Sequence, residues 1–93
     1  MRRIIWTEPA RQDLERIQDY IGQFNPAAAR GVAERLLAAA DSLGSFAERG
    51  RPSGIDRELT AIRPYVLRYR IIGGVVFILR VRHGGTLGSS PTR

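Results

Sequence analysis

Apolar residues at Ala10, Leu14, Ile17, Ile21 and Phe24 recur four, three, four and three positions apart, which draws a single stripe along a helix. Arg11, Asp13, Glu15, Arg16 and Asp19 fill the spaces between them as its wet face. Thr7 precedes this run as an N-cap, with Glu8 and Pro9 in the first turn, where a missing N–H is harmless. Ahead of it, Arg3-Ile4-Ile5-Trp6 is a short β-branched and aromatic run that predicts a first strand, with Trp6 in the core beneath the helices. Residues 22–25 break the helix, and Asn25-Pro26 caps a second one. Its apolar face carries Ala29, Val32, Leu36, Ala39 or Ala40, and Leu43, and Gly44 ends it. The short connection predicts an antiparallel helical hairpin.

The second half changes period. Residues 45–57 hold Gly50, Arg51, Pro52 and Gly54 and read as a long irregular connection. Three strands follow, over 58–63, 65–72 and 75–82, with Arg63-Pro64 as one break and Gly73-Gly74 as a hairpin turn. The expected fold class is α+β, in the order β-α-α-β-β-β, an antiparallel sheet packed against an N-terminal helical hairpin. Residues 1–83 form the one domain expected at this length, and residues 84–93, rich in Gly, Ser, Thr and Pro, read as a flexible tail.

The register of the last hairpin decides which side chains share a face, because a slip of one residue exchanges the faces. A two-residue turn at Gly73-Gly74 pairs Ile71 with Val76 and separates Arg80 and Arg82 from Arg68 and Arg70. A three-residue loop with a glycine bulge pairs Ile71 with Phe77 and gathers all four. The second is the favoured expectation, since it also gathers the apolar residues into one core face.

Charge sharpens this picture. The net charge is +6, and residues 59–93 hold six arginines and no acid, whereas residues 1–58 balance nine arginines against nine acids. A one-sided field of this kind recruits an anionic partner. The chain has no cysteine and one histidine, so neither a disulfide nor a multi-histidine or thiolate metal site can form within it. No metal or cofactor is expected. No apolar run reaches membrane-spanning length, and the N-terminus lacks the apolar stretch of a signal peptide, so the expected location is the cytoplasm and no membrane partner is expected.

Several segments, in this order and at this length, resemble the RelE/ParE superfamily of toxins from type II toxin–antitoxin systems. They are Trp6-Thr7-Glu8-Pro9-Ala10 with Asp13-Leu14 and Ile17, Tyr20-Ile21, Asn25-Pro26 and Ala28-Ala29. Gly50-Arg51, Arg57-Glu58-Leu59, Tyr69-Arg70-Ile71 and Val81-Arg82-His83-Gly84 continue the match. Within the superfamily the chain is more similar to ParE, whose members poison DNA gyrase, than to RelE, whose members cleave mRNA on the ribosome. The positions that match the ribonuclease's basic residues are Leu59, Ala61, Val66 and Gly84, none of which binds phosphate by charge or moves a proton. One departure is that His83-Gly84-Gly85-Thr86 lacks the arginines that commonly follow this histidine in ParE-like sequences.

The resemblance implies a growth-inhibiting toxin that binds gyrase without chemistry of its own, and so has no catalytic residues. It also implies neutralisation by a cognate ParD-like antitoxin in a hetero-oligomer, and a role in plasmid stabilisation. Arg68, Arg70, Arg80 and Arg82 are the expected antitoxin-binding residues, and Arg63, Arg82 and His83 the expected target contacts. Direct nucleic-acid binding is not expected on this reading. The alternatives are a RelE-like ribosome-dependent endoribonuclease using Arg51, Arg63, Arg82 and His83, or an inactivated toxin kept as a regulatory binding module.

Overall fold

A computed structural model describes residues 1–84; the expected tail from residue 85 onward lies outside the described residues. The chain runs β1 (Ile4–Trp6), α1 (Glu8–Gly22), α2 (Pro26–Ser42), β2 (Arg51–Ser53), β3 (Asp56–Ile62), β4 (Tyr65–Ile72) and β5 (Val75–His83). The strands form one sheet in the order β1-β5-β4-β3-β2. Four of them pair antiparallel, as expected, while β1 lies parallel to β5 and pairs only with residues 76–78. No described helix is long and apolar enough to cross a membrane.

Both helices start where the capping residues stand. The Thr7 hydroxyl accepts the Ala10 N–H and donates to the Ile78 carbonyl at 2.8 Å, so one side chain begins α1 and ties it to β5. Asn25 accepts the Ala28 N–H at 3.0 Å, with Pro26 opening α2. The two helices lie on one face of the sheet. Ala10, Leu36, Ala40 and Leu43 pack there against Leu59, Leu67, Tyr69, Val76, Ile78 and Val81. Alanine at positions 10, 29, 33 and 40 lets the backbones approach, and fully burying a leucine such as Leu36 contributes about 1.5–3 kcal/mol. Leu14, Ile17 and Trp6 pack on this core from its margin. Phe24, assigned to the apolar stripe from its spacing, falls beyond the end of α1 and is 74% exposed.

The connection between α2 and β3 is more ordered than its composition suggests. Arg51–Ser53 forms an extra strand at the sheet margin, where Pro52 can sit without disrupting a central ladder. Strand β3 also begins two residues earlier than expected, at Asp56.

The hairpin register differs from the favoured expectation. Gly73 and Gly74 both have positive φ, 57° and 79°, which is the two-residue turn that pairs Ile71 with Val76 and Ile72 with Val75. The register then shifts: Tyr69 pairs with Ile78 but Arg68 pairs with Arg80, leaving Leu79 as the extra residue of a bulge. The bulge exchanges the faces of the remaining strand. It brings Val81 into the core opposite Leu67 and sets Arg82 opposite Val66.

Candidate functional site

The sheet face turned away from the helices carries a ladder of opposite charges. Asp56 and Glu58 are two residues apart on β3, so they share that face. Arg68 Nε donates to Asp56 Oδ2 at 2.8 Å, and Arg70 Nε donates to Asp56 Oδ1 at 2.6 Å. The second guanidinium arm of Arg68 reaches Glu58 at 3.3 Å, and Arg82 reaches the same carboxylate oxygen at 2.9 Å. The sequence along the ladder is therefore Arg70, Asp56, Arg68, Glu58, Arg82. Arg51 lies directly across from Glu58 in the β2–β3 pair. The hydrogen bond from Arg70 is the main reason that the Asp56 carboxyl lies below its ordinary 3.8; burial works against it and Arg68 adds to it.

Arg80 goes elsewhere. It pairs with Arg68 in the strand register, but its guanidinium turns over the β5 margin to Asp13 on α1, with contacts of 2.8 and 3.0 Å. The same carboxylate accepts the Val81 N–H at 2.9 Å, beyond the point where β1 stops pairing. Burial pushes the Asp13 carboxyl up, but the Arg80 and Val81 hydrogen bonds and the arginine charge outweigh it and hold the group below 3.8.

The four arginines expected to meet an antitoxin thus each have a carboxylate from the first 58 residues. Three of them, Arg68, Arg70 and Arg82, share the outer face, and the fourth clamps a helix. Beside the ladder the outer face turns apolar. Ile5 and Arg70 both pair with Phe77, and Ile72 pairs with Val75 at the turn, so these side chains form a strip next to Arg70. Ile72 is 54% exposed.

Of the residues expected to serve a ribonuclease, Arg63, Arg82 and His83 gather at one end of the β4–β5 pair, and Arg51 stands apart. Arg51 sits on the marginal strand β2, three strand spacings from Arg82 and His83 on β5, which is about 14 Å. Arg63 is exposed at the turn before Pro64 and, with Thr60, Pro64, Val66 and Gly84, lines a cavity of about 210 Å³. His83 pairs with Tyr65, its ring edge-on to the tyrosine at 5.7 Å. Leu59 and Ala61, two of the positions matched to the ribonuclease's basic residues, pack in the core. The outward positions beside them are Glu58 and Thr60.

Reading the chain alone missed Asp13, Asp56 and Glu58 as partners of the basic hairpin. For Asp56 and Glu58 a signal existed: acids at a two-residue spacing leading into Leu59 mark one face of a strand. Asp13 looked like any solvated helix position, and nothing local revealed its reach across 67 residues to Arg80.

A protein-family model described as "ParE toxin of type II toxin-antitoxin system, parDE" matches residues 4–88. "Toxin RelE2" of Caulobacter vibrioides is 49% identical over 88 residues, covering 94% of this chain and 100% of that protein. "Putative toxin Y4kP" of Sinorhizobium fredii is 41% identical over 85 residues, 88% of each chain. The solved structure "Chromosomal ParDE TA system from P. aeruginosa" superposes with a TM-score of 0.80 at 28% identity, covering 89% of this chain and 96% of that one. With its helical hairpin, its sheet order and a family match over nearly its whole length, this chain belongs to the ParE toxins of type II toxin–antitoxin systems, within the RelE/ParE superfamily.

Proposed function

We propose that this toxin acts by binding its target, DNA gyrase, rather than by cutting RNA. The observation that carries this reading is the chemistry of the outer sheet face. Its outward β3 positions include Glu58 and Thr60, Arg68, Arg70 and Arg82 are tied to carboxylates, and Arg51 stands about 14 Å from Arg82 and His83. General acid–base catalysis needs a donor and an acceptor within hydrogen-bond reach of one bond, and Arg51, on the marginal strand, is too far from His83 to share one. Purified toxin is expected to inhibit gyrase supercoiling and to stabilise a cleaved gyrase–DNA complex. Folded protein that does neither removes the proposal.

The names of two relatives favour a second reading. "Toxin RelE2" and "Toxin RelE1" of Caulobacter vibrioides, the latter 35% identical over 79 residues, carry the name of the ribosome-dependent ribonuclease. On that reading Arg51, Arg63 and Arg82 neutralise phosphate charge and His83 moves a proton. Primer extension on translated mRNA separates the two, since codon-phased cuts appear only if the toxin is a nuclease.

The partner that neutralises the toxin is a ParD-like antitoxin, in line with the solved ParDE assembly that this fold matches. Its docking surface is the outer sheet face, where Arg68, Arg70 and Arg82 adjoin the strip of Ile72 and Phe77, with Arg80 at the margin. Arg63, Arg82 and His83, at the far end of the same sheet, are the target contacts. A segment bringing both carboxylates and apolar side chains fits the outer face; the apolar part matters because exposed ion pairs contribute only about 0–1 kcal/mol each.

A further inference from the structure

Four arginines from three strands, Arg51, Arg68, Arg70 and Arg82, are arrayed on or beside the uncovered face of the sheet. Arginine presents a planar fork of donors that fits phosphate as well as carboxylate. Such an array is suited to following a nucleic-acid backbone. Yet its anion positions are already taken. Asp56 lies between Arg68 and Arg70 with contacts of 2.8 and 2.6 Å, and Glu58 lies between Arg68 and Arg82 with contacts of 3.3 and 2.9 Å. Each carboxylate stands where a phosphate bridging two guanidinium groups would stand.

Stability is part of the reason for placing Asp56, whose side chain is 7% exposed, but a weak one for the array as a whole. The arginines remain a third to a half exposed, with side-chain exposures of 33, 36 and 49%, and ion pairs of that kind contribute little in water. The electrostatic consequence is larger. Four positive charges against two negative leave the face at +2 instead of +4. Non-specific affinity for nucleic acid is set by the number of phosphates a surface neutralises. Halving the net charge therefore removes much of that affinity.

We propose that Asp56 and Glu58 are built-in phosphate mimics that keep the arginine face off single-stranded nucleic acid. They act as specificity-determining residues: a protein partner adds apolar contacts along Ile72 and Phe77, whereas a polyphosphate backbone offers only charge. The proposal rests on the reading that the toxin binds a protein target, since on the ribonuclease reading Arg51 and Arg82 would meet RNA phosphate; the gyrase assay tests that reading and the binding titration tests this one.

The test is fluorescence anisotropy with a labelled single-stranded oligouridylate, titrated with the full chain and with its D56N/E58Q variant across a series of salt concentrations. The wild type should bind weakly. The variant should bind about tenfold or more tighter at low salt, with a plot of log affinity against log salt steeper by about 1.4, the value for two further phosphate contacts on a single strand. Adding R68Q and R70Q to the variant should return the affinity toward wild type. A folded D56N/E58Q protein with unchanged affinity and slope overturns the proposal, as does tight binding that survives loss of the two arginines. Should the double variant fail to fold, E58Q alone decides. Glu58 is the more exposed of the two acids, and its loss should steepen the slope by about 0.7; no change in slope overturns the proposal.

Discussion

The hydroxyl of Tyr69 accepts the Gly50 N–H at 2.9 Å while donating to the Ala47 carbonyl at 2.7 Å, so one buried side chain of β4 closes the loop that follows α2. Arg57 adds a second tie, donating to the Gly50 carbonyl at 2.7 Å. Gly50 is required by this packing, since a Cβ there would stand 2.7 Å from the tyrosine oxygen and 2.7 Å from the Glu58 carbonyl. A G50A variant should lose about 1–3 kcal/mol by overpacking. Y69F should lose about 1–3 kcal/mol by leaving two buried backbone groups without a partner. Urea denaturation measures both. A G50A protein as stable as wild type would show that the loop yields freely.

The elements that could be read in advance were those written in local chemistry. Thr7 and Asn25 stand at the two helix starts, and Gly73-Gly74 stands at the β4–β5 turn. What escaped depended on partners distant in sequence. Strand β2 has three residues, one of them proline, and exists because β3 offers it a ladder. The bulge at Leu79 has no glycine to announce it. It arises where β5 leaves β1, where Thr7 donates to the Ile78 carbonyl and Asp13 accepts the Val81 N–H.

Asp13 fastens α1 to β5 at a point where no strand does so. Replacing it with alanine strands the Val81 N–H and releases Arg80, and the expected loss is about 1–3 kcal/mol. Much of that loss comes from the backbone contact. R80Q, which spares it, should therefore be milder than D13A, and the two changes should be non-additive in a double-mutant cycle. Equal costs for the two variants would place the worth of the clamp in the ion pair alone.

Acid should loosen the fold through the same groups. Asp13 and Asp56 are both held below 3.8 in the folded protein, so the unfolded chain takes up their protons first as pH falls. Their contribution is complete above about pH 5 and is lost as pH drops through the folded values. The melting temperature should be flat from neutrality down to about pH 5 and then decline. A D13N/D56N variant should start lower and decline less steeply. An unaltered slope in that variant would assign the acid sensitivity to other carboxylates.

The candidate site shows why charge along a chain is an incomplete guide to charge in space. Residues 59–93 hold arginines without an acid, and the last hairpin therefore reads as an uncompensated positive field. Strand β3 starts at Asp56 and lies beside β4, which delivers Asp56 and Glu58 to Arg68, Arg70 and Arg82. Glu58 and Asp56 lie one and three residues outside the window in which the charge was counted. The alternation of apolar and charged residues on β4, by contrast, was legible, and it sets Leu67 and Tyr69 inward with Arg68 and Arg70 outward.

The paired state of these arginines also changes how antitoxin binding must be tested. Replacing Arg68, Arg70, Arg80 and Arg82 together with Gln should weaken binding and flatten its salt dependence. The same change strips both partners from Asp56 and unclamps Asp13, so lost stability contaminates the result. R70Q/R82Q is the cleaner variant. It leaves Arg68 bonded to both acids and Arg80 on Asp13. With two exposed ionic contacts gone, affinity for an acidic, amphipathic antitoxin segment should fall by about tenfold, and its salt dependence should flatten. I72D probes the apolar half of the same surface and should weaken binding at every salt concentration, because the area it removes from burial is not screened by ions. The bound segment should also raise the melting temperature of the wild-type toxin, since it binds only the folded state. If R70Q/R82Q and I72D both bind as wild type does, the outer face is a solvated surface and the antitoxin docks elsewhere.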